Sequence, residues 1–229
     1  MHNDWAVLYA LQDEALKALE TVEHGLYLSG GTALSRGYYG HRYSEDLDLF
    51  ANDREDFALW RDRCIAVLGA LCDGRGFRME VVLREARFGR VFVQGPASLK
   101  IEFVNDVPCR IGTPWRHPGL GMLDTRENIL ANKVSALIDR MAPKDLADMF
   151  WLCVRDGLDI MRAIEDATGK AAGIFPPLVA KAIEQTLPGA WESVAWVTPP
   201  DKGEFENGLL DLARRIMEPD AKDGSQKSE

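Results

Sequence analysis

Apolar and polar positions follow two different periods along this chain, and the change falls near residue 123. Before that point strand-like runs mix with helical spacing. The segment MHNDWAVLYALQDEALKAL reads as a helix. Leu26 to Ser29 predicts a short apolar strand that Gly30-Gly31 breaks, and Thr32 to Tyr39 a short helix. Leu47 to Phe50 predicts a second strand. Between Arg54 and Cys72, the residues Phe57, Trp60, Ile65, Leu68 and Leu71 recur at helical spacing. Asn52 or Asp53 can cap that helix, and Gly74-Arg75-Gly76 ends it. Three more strand-like runs follow: Phe77 to Leu83, Arg90 to Val93 and Leu99 to Val104. Gly89 and Gly95-Pro96 separate them, so they predict a meander.

After residue 123 the spacing is helical throughout. Asp124 or Thr125 can cap a helix that runs to about Arg140. Pro143 opens another, PKDLADMFWLCVRDG, which Gly157 can terminate. Further helices are expected over 159–168, 175–187 and 203–217, and the polar end DAKDGSQKSE reads as a disordered tail. The pattern therefore predicts an α+β chain. Residues 1–122 form a domain with a mixed sheet and flanking helices, residues 123–218 a helical bundle, and 219–229 a tail.

Composition narrows the class. Apolar residues make up 46% of the 229 and charged residues 28%, as in an ordinary globular protein. The N-terminal helix lacks a basic segment and a small-residue cleavage site, so no signal peptide is expected. No apolar run approaches the roughly 20 residues that span a bilayer. A cytoplasmic location with no membrane partner follows as the expectation. The net charge of −9 argues against broad, nonspecific DNA binding, while leaving room for a local basic surface or a basic protein partner. Cys64, Cys72, Cys109 and Cys153 form no C-x-x-C pair, so no zinc site or disulfide framework is expected, and Cys64 and Cys72, in one predicted helix, read as small buried residues. His24 and His117 have no partner pattern, and Trp191 and Trp196 read as packing residues.

The candidate chemistry lies in LSGGTALSRGYYGHRYSEDLDLF, residues 28–50. Gly30 and Gly31 stand between a strand and a helix start, where backbone N–H groups can approach a phosphate and the helix terminus favours anions. Thr32 can add a hydroxyl donor. The same residues also suit a plain strand-to-helix turn. Asp46 and Asp48 are two apart at the start of a strand, so their carboxylates share a face and repel unless a cation lies between them. Mg²⁺ takes such oxygen ligands and bridges to substrate phosphates. Alternatively, one Asp caps a turn and the other is solvated; the apolar Leu47, Leu49 and Phe50 weigh against that, because an idle acidic pair on a buried strand is costly. In LKIEFVND, Ile101 and Phe103 face a core, whereas Glu102 shares the other face with Lys100 and Val104. Glu102 is thus the candidate third acid. His41 and Arg42 precede the D-x-D strand, and Arg42 can reach a phosphate or pair with Glu45.

The strand-GGT-helix-D-x-D order with a later strand carboxylate resembles the DNA polymerase beta nucleotidyltransferase superfamily. More narrowly, GGTALSRGYYGHRYSEDLDLF together with ENILANKVSALIDRMAPKDLADMF resembles the AbiEii/AbiGii toxin family. The matching residues of the second segment are Lys133, Arg140 and Lys144-Asp145-x-x-Asp148; the pattern spans roughly 26–151. Many relatives have Asp where this chain has Glu102.

The resemblance implies a nucleotidyltransferase fold and transfer of a nucleotide from an NTP to an acceptor, here the 3′ end of tRNA. It also implies a role as the toxin of a toxin–antitoxin or phage-defence system, with a protein antitoxin as partner. Asp46 and Asp48 would hold Mg²⁺, or Mn²⁺, and Glu102 would join them as a ligand or position the acceptor hydroxyl. Two metals would then stabilise an in-line displacement. Lys133 would meet the triphosphate. Gly30, Gly31, Thr32, Arg42, Arg140, Asp145 and Asp148 would complete the nucleotide site. From spacing alone, Lys133 and Arg140 also read as a solvated basic stripe, and Asp145 and Asp148 as structural ion-pair partners. Two rival functions share these residues: modification of a protein hydroxyl, and a catalytically idle scaffold.

Overall fold

The computed structural model of the chain describes residues 4–218; the tail expected from residue 219 lies outside them. The order is α1 (Trp5–Leu19), β1 (Tyr27–Ser29), α2 (Gly30–Thr32), a π-helical segment (Ala33–Tyr39), β2 (Leu47–Asn52), α3 (Phe57–Arg75), β3 (Arg78–Arg84), β4 (Phe88–Gln94), β5 (Ser98–Asp106), β6 (Trp115–His117) and β7 (Gly121–Leu123). Then come α4 (Arg126–Arg140), α5 (Pro143–Met149), a second π-helical segment (Phe150–Arg155), α6 (Ile160–Thr168), α7 (Pro176–Thr186), α8 (Ala190–Ser193) and α9 (Lys202–Met217). The chain divides into two compact units, the first ending at Thr125 and the second beginning at Arg126.

In the first unit, the period-two pattern of the sequence becomes a two-faced sheet. Leu47, Leu49 and Ala51 of β2, Val91 and Val93 of β4, and Leu99, Ile101 and Phe103 of β5 are buried, while the residues between them are partly exposed. Helix α3 packs on β3 and β4, and α1 packs on β5 and α3. The strands run in the order β3-β4-β5-β2-β1-β7-β6. The predicted meander is present, since β3, β4 and β5 pair antiparallel in succession. β5 then pairs parallel with β2, because α3 and two strands intervene and return the chain in the same direction.

Several local features differ from the sequence pattern, among them the second π-helical segment Phe150–Arg155, which interrupts the helix expected from Pro143, and the short α8. The edge hairpin β6–β7 was not legible; each of its strands has three residues, too few to establish a period. Ala33–Tyr39 winds as a π-helix, a rare form that often accompanies functional sites. Its turns are held by tertiary bonds: the Ser35 hydroxyl donates to the Arg42 carbonyl at 2.5 Å, and the Tyr38 hydroxyl to that of Asp124 at 2.6 Å. Finally, neither Asn52 nor Asp53 caps α3, which begins after Asp56. Asn52 instead accepts from the Tyr27 hydroxyl, and Asp53 pairs with Arg87.

The second unit is helical. Asp159 caps α6 through Met161 N and Arg162 N, and Asp201 caps α9 through Glu204 N. The Phe150 and Phe205 rings pack tilted with centroids 5.3 Å apart, and Trp196 lies 5.7 Å from Trp151. The indole N–H groups of Trp191 and Trp196 donate to the carbonyls of Pro200 and Trp191. These tryptophans are packing residues with their polar ends satisfied.

Candidate active site

The glycine pair of the first unit sets the geometry around Asp48 and Arg42. Gly30 has φ +68°, a left-handed conformation that a Cβ disfavours. A Cβ there would also stand 2.6 Å from the Asp48 Oδ2, and one on Gly31 would stand 2.4 Å from Arg42 Nη2. Only glycine lets the carboxylate and the guanidinium approach the turn this closely. Ser29↔Asp48 is a register pair of β1 and β2, so sheet pairing brings the D-x-D strand beside the turn. Arg42 is buried, and its Nη1 donates to the Tyr43 carbonyl at 2.9 Å. His41 is buried with its ring edge toward Tyr39.

Thr32 differs from the expectation of a phosphate donor. Its buried hydroxyl donates to the main-chain carbonyl of Asp46 and lies 2.9 Å from the Ser44 hydroxyl. A hydroxyl has one proton to give, so Thr32 positions Asp46 instead. Helix α1 holds the same approach from the other side. The buried Gln12 side-chain amide donates to the carbonyls of Ser44 and Glu45 at 3.0 and 3.1 Å. Tyr9 accepts from Ser44 N, and Trp5 stacks at 4.5 Å on Tyr43.

Asp48↔Glu102 and Arg90↔Glu102 are register pairs, so the parallel β2–β5 ladder and its antiparallel neighbour β4 align a row of charges on one face. Arg90 Nε donates to Glu102 Oε1 at 2.7 Å. Lys100 Nζ lies 3.1 Å from Asp46 Oδ2 and 3.3 Å from Glu102 Oε1. Partial burial of the Lys100 ammonium pulls its pKa down, but the charge of Asp46 and its hydrogen bond, with the charges of Glu102 and Asp48, outweigh that and hold it above the ordinary value. Sequence reasoning placed Lys100 on this face without giving it a role; the signal was K-x-E standing opposite D-x-D.

These side chains fit a divalent ion in a limited way. Asp46 and Asp48 offer hard oxygen ligands, and the Lys100 ammonium shows that a cation settles against Asp46. Among the described residues, however, no group of three or more His, Cys, Asp or Glu side chains is close enough to hold a metal. Glu102 is turned to Arg90 and Lys100. An aspartate pair completed by substrate phosphates matches the usual coordination of Mg²⁺.

The second unit holds Lys133, Arg140, Asp145 and Asp148 as one network. Lys133 Nζ meets Asp145 Oδ1 at 2.8 Å and Asp148 Oδ2 at 2.5 Å. Arg140 forks onto both oxygens of Asp145, each at 2.8 Å. Both aspartate side chains are 0% exposed, and that of Lys133 is 6%. Burial pushes the Asp145 carboxyl upward, but the charge of Lys133 and the hydrogen bonds and charge of Arg140 prevail and hold it below its ordinary value. Isolated, each charge would cost several kcal/mol to bury. Lys133 is therefore no solvated stripe residue.

Asp124, which with Thr125 was a cap candidate for α4, is fully buried; its Oδ2 accepts from the Ser29 hydroxyl at 2.6 Å and its Oδ1 from Thr125 N at 2.9 Å. The bond to Ser29 ties the end of β7 to the residue before the glycine turn.

A glycine turn clasping a D-x-D strand on a mixed sheet, followed by a helical unit, defines the nucleotidyltransferase class. The same architecture is found in JHP933 from Helicobacter pylori, with a TM-score of 0.66 at 18% identity, covering 96% of this chain and 94% of that one. MenT4, a nucleotidyltransferase toxin from Mycobacterium tuberculosis H37Rv, matches with a TM-score of 0.54 at 18% identity, covering 95% and 85%. At these identities the likeness is one of fold. No curated protein sequence matches the chain. The family model "Nucleotidyl transferase AbiEii toxin, Type IV TA system" matches residues 14–214. The chain belongs to this family. It is a nucleotidyltransferase toxin of the type IV toxin–antitoxin class, and its counterpart is an antitoxin; nucleotidyltransferases of this kind generally work with a divalent ion. No described helix is long and apolar enough to cross a membrane.

Proposed function

We propose that this enzyme moves a nucleotide from an NTP to the 3′ end of an RNA, with tRNA as the acceptor, using Mg²⁺ held by Asp46 and Asp48. The observation that carries the reading is the Asp48 carboxylate lying against Gly30, whose turn leaves no room for a Cβ. A triphosphate cradled by that turn lies beside the ligands of the ion that neutralises it. When bound, the ion withdraws charge from the phosphates and orients them for in-line displacement.

The protein's own groups do the rest. The backbone N–H groups of Gly30 and Gly31 meet phosphate oxygens, and Arg42, pressed on Gly31, adds a fixed positive charge. Thr32, Ser44 and Gln12 keep the Asp46 segment in place. Glu102, steadied by Arg90, positions the acceptor hydroxyl and takes its proton. In the helical unit Asp145 and Asp148 hold the Lys133 ammonium, and Arg140 holds Asp145, as one buried network.

The test is labelling. Each α-³²P NTP is incubated with the enzyme, Mg²⁺, total RNA and total protein. Label on RNA of tRNA size, removed by trimming the 3′ end, is the expected result. Label found only in protein would overturn the RNA assignment in favour of a protein hydroxyl acceptor.

A further inference from the structure

A site for two metal ions needs carboxylates that converge on both, with the ions about 3.5–4 Å apart. The row on this sheet has a different composition. Lys100 extends from β5 on the same face as Glu102, and its ammonium stands between Asp46 and Glu102 at 3.1 and 3.3 Å. The Glu102 oxygen that faces it also accepts from Arg90. A second ion bridging Asp46 and Glu102 would meet a tethered cation already in that position. It would also have to lose water, which Mg²⁺ does reluctantly.

We infer that Lys100 takes the place of a second metal ion, so that the enzyme works with a single divalent ion held by Asp46 and Asp48. This rests on the reading of those two carboxylates as metal ligands. Lys100 is then a positioning residue. Its charge holds Asp46 and Glu102 on one face against their mutual repulsion, and it excludes a second ion by like charge. Arg90 serves the same row from the far side of Glu102, which explains why two cationic side chains converge on one carboxylate. The side chains of Lys100, Asp46 and Glu102 are 27%, 25% and 16% exposed, so an ion has access to the row once the ammonium is removed.

The test counts ions. Mn²⁺ is titrated into the full chain with a saturating non-hydrolysable α,β-methylene NTP, each base in turn, and bound ion is read by electron paramagnetic resonance against a nucleotide blank. Wild type is expected to saturate at a single Mn²⁺ per chain, Lys100→Met at two, and Lys100→Arg at a single ion again because the charge is restored. Two ions in wild type, or no gain in a folded Lys100→Met, would overturn the role given to Lys100. The wild-type count needs no substitution, and two ions there overturn the inference even if Lys100→Met does not fold. Asp48→Asn is the separate control: unchanged Mn²⁺ binding there would overturn the metal reading from which the inference starts.

Discussion

Two clusters of acids and bases in this protein obey opposite rules. In the sheet unit, Asp46, Glu102 and Lys100 lie partly exposed along one face. In the helical unit, Asp145 and Asp148 are fully enclosed and Lys133 nearly so. The enclosed cluster satisfies itself, because two carboxylates meet an ammonium and a guanidinium at hydrogen-bond distance. The exposed row keeps carboxylate oxygens that solvent or a ligand can reach. Burial decides the difference: an unmatched charge is tolerable at a surface and prohibitive in a core. The first cluster suits ligand chemistry, and the second is a rigid mount.

This contrast can be broken by substitution. Asp48→Asn should lower nucleotide transfer by at least about a thousandfold, as expected when several kcal/mol of charge stabilisation at an ion is lost. Its melting temperature should stay within a few degrees of wild type; a large drop would mean that Asp48 is structural. Asp145→Ala should do the reverse in kind, destabilising the fold by about 3–5 kcal/mol because Lys133 loses a buried counter-charge. Urea unfolding measures it, and a change under about 1 kcal/mol would deny the network its structural role.

Two smaller effects sharpen the picture. Gly30→Ala places a Cβ at positive φ against the Asp48 carboxylate, so about 1–2 kcal/mol of stability should be lost. Transfer should fall about twofold to fivefold if half of that strain moves the carboxylate; thermal melts and initial rates check the pair. The last effect is one of pH. The Asp145 carboxyl is held below its ordinary value in the fold. The stability it contributes is therefore complete above the unfolded value of about 3.9 and is lost as pH falls from there through the folded value. Urea midpoints should decline below about pH 4, and less steeply in Asp145→Asn. Equal slopes would remove Asp145 as the titrating group.

Much of this was legible in the chain. Periods of two and of 3.6 predicted β2 to β5, α3, α4, α6, α7 and α9 within a few residues of their ends, because their apolar stripes are long enough to show a period. The D-x-D pair and the strand carrying Glu102 were found the same way. Other features were not. Thr32 carried the look of a phosphate donor, yet its proton goes to the Asp46 carbonyl, fourteen residues on. Gln12 in α1 gave no sign that it holds Ser44 and Glu45. Asp124 gave no sign that it meets Ser29, 95 residues away in the chain. Such partners are matters of register and chain reversal, to which local periodicity is blind.

By itself the sequence determined which face the candidate acids occupy, because alternation puts Asp46, Asp48 and Glu102 opposite the apolar side of their strands. Its motifs also determined the family. The tertiary structure alone decided what each charge meets: Asp48 against Gly30, Lys100 between Asp46 and Glu102, Lys133 enclosed by Asp145 and Asp148. Pairing between distant strands and helices sets those distances, and distance and burial together determine whether a charge binds a ligand or holds a fold.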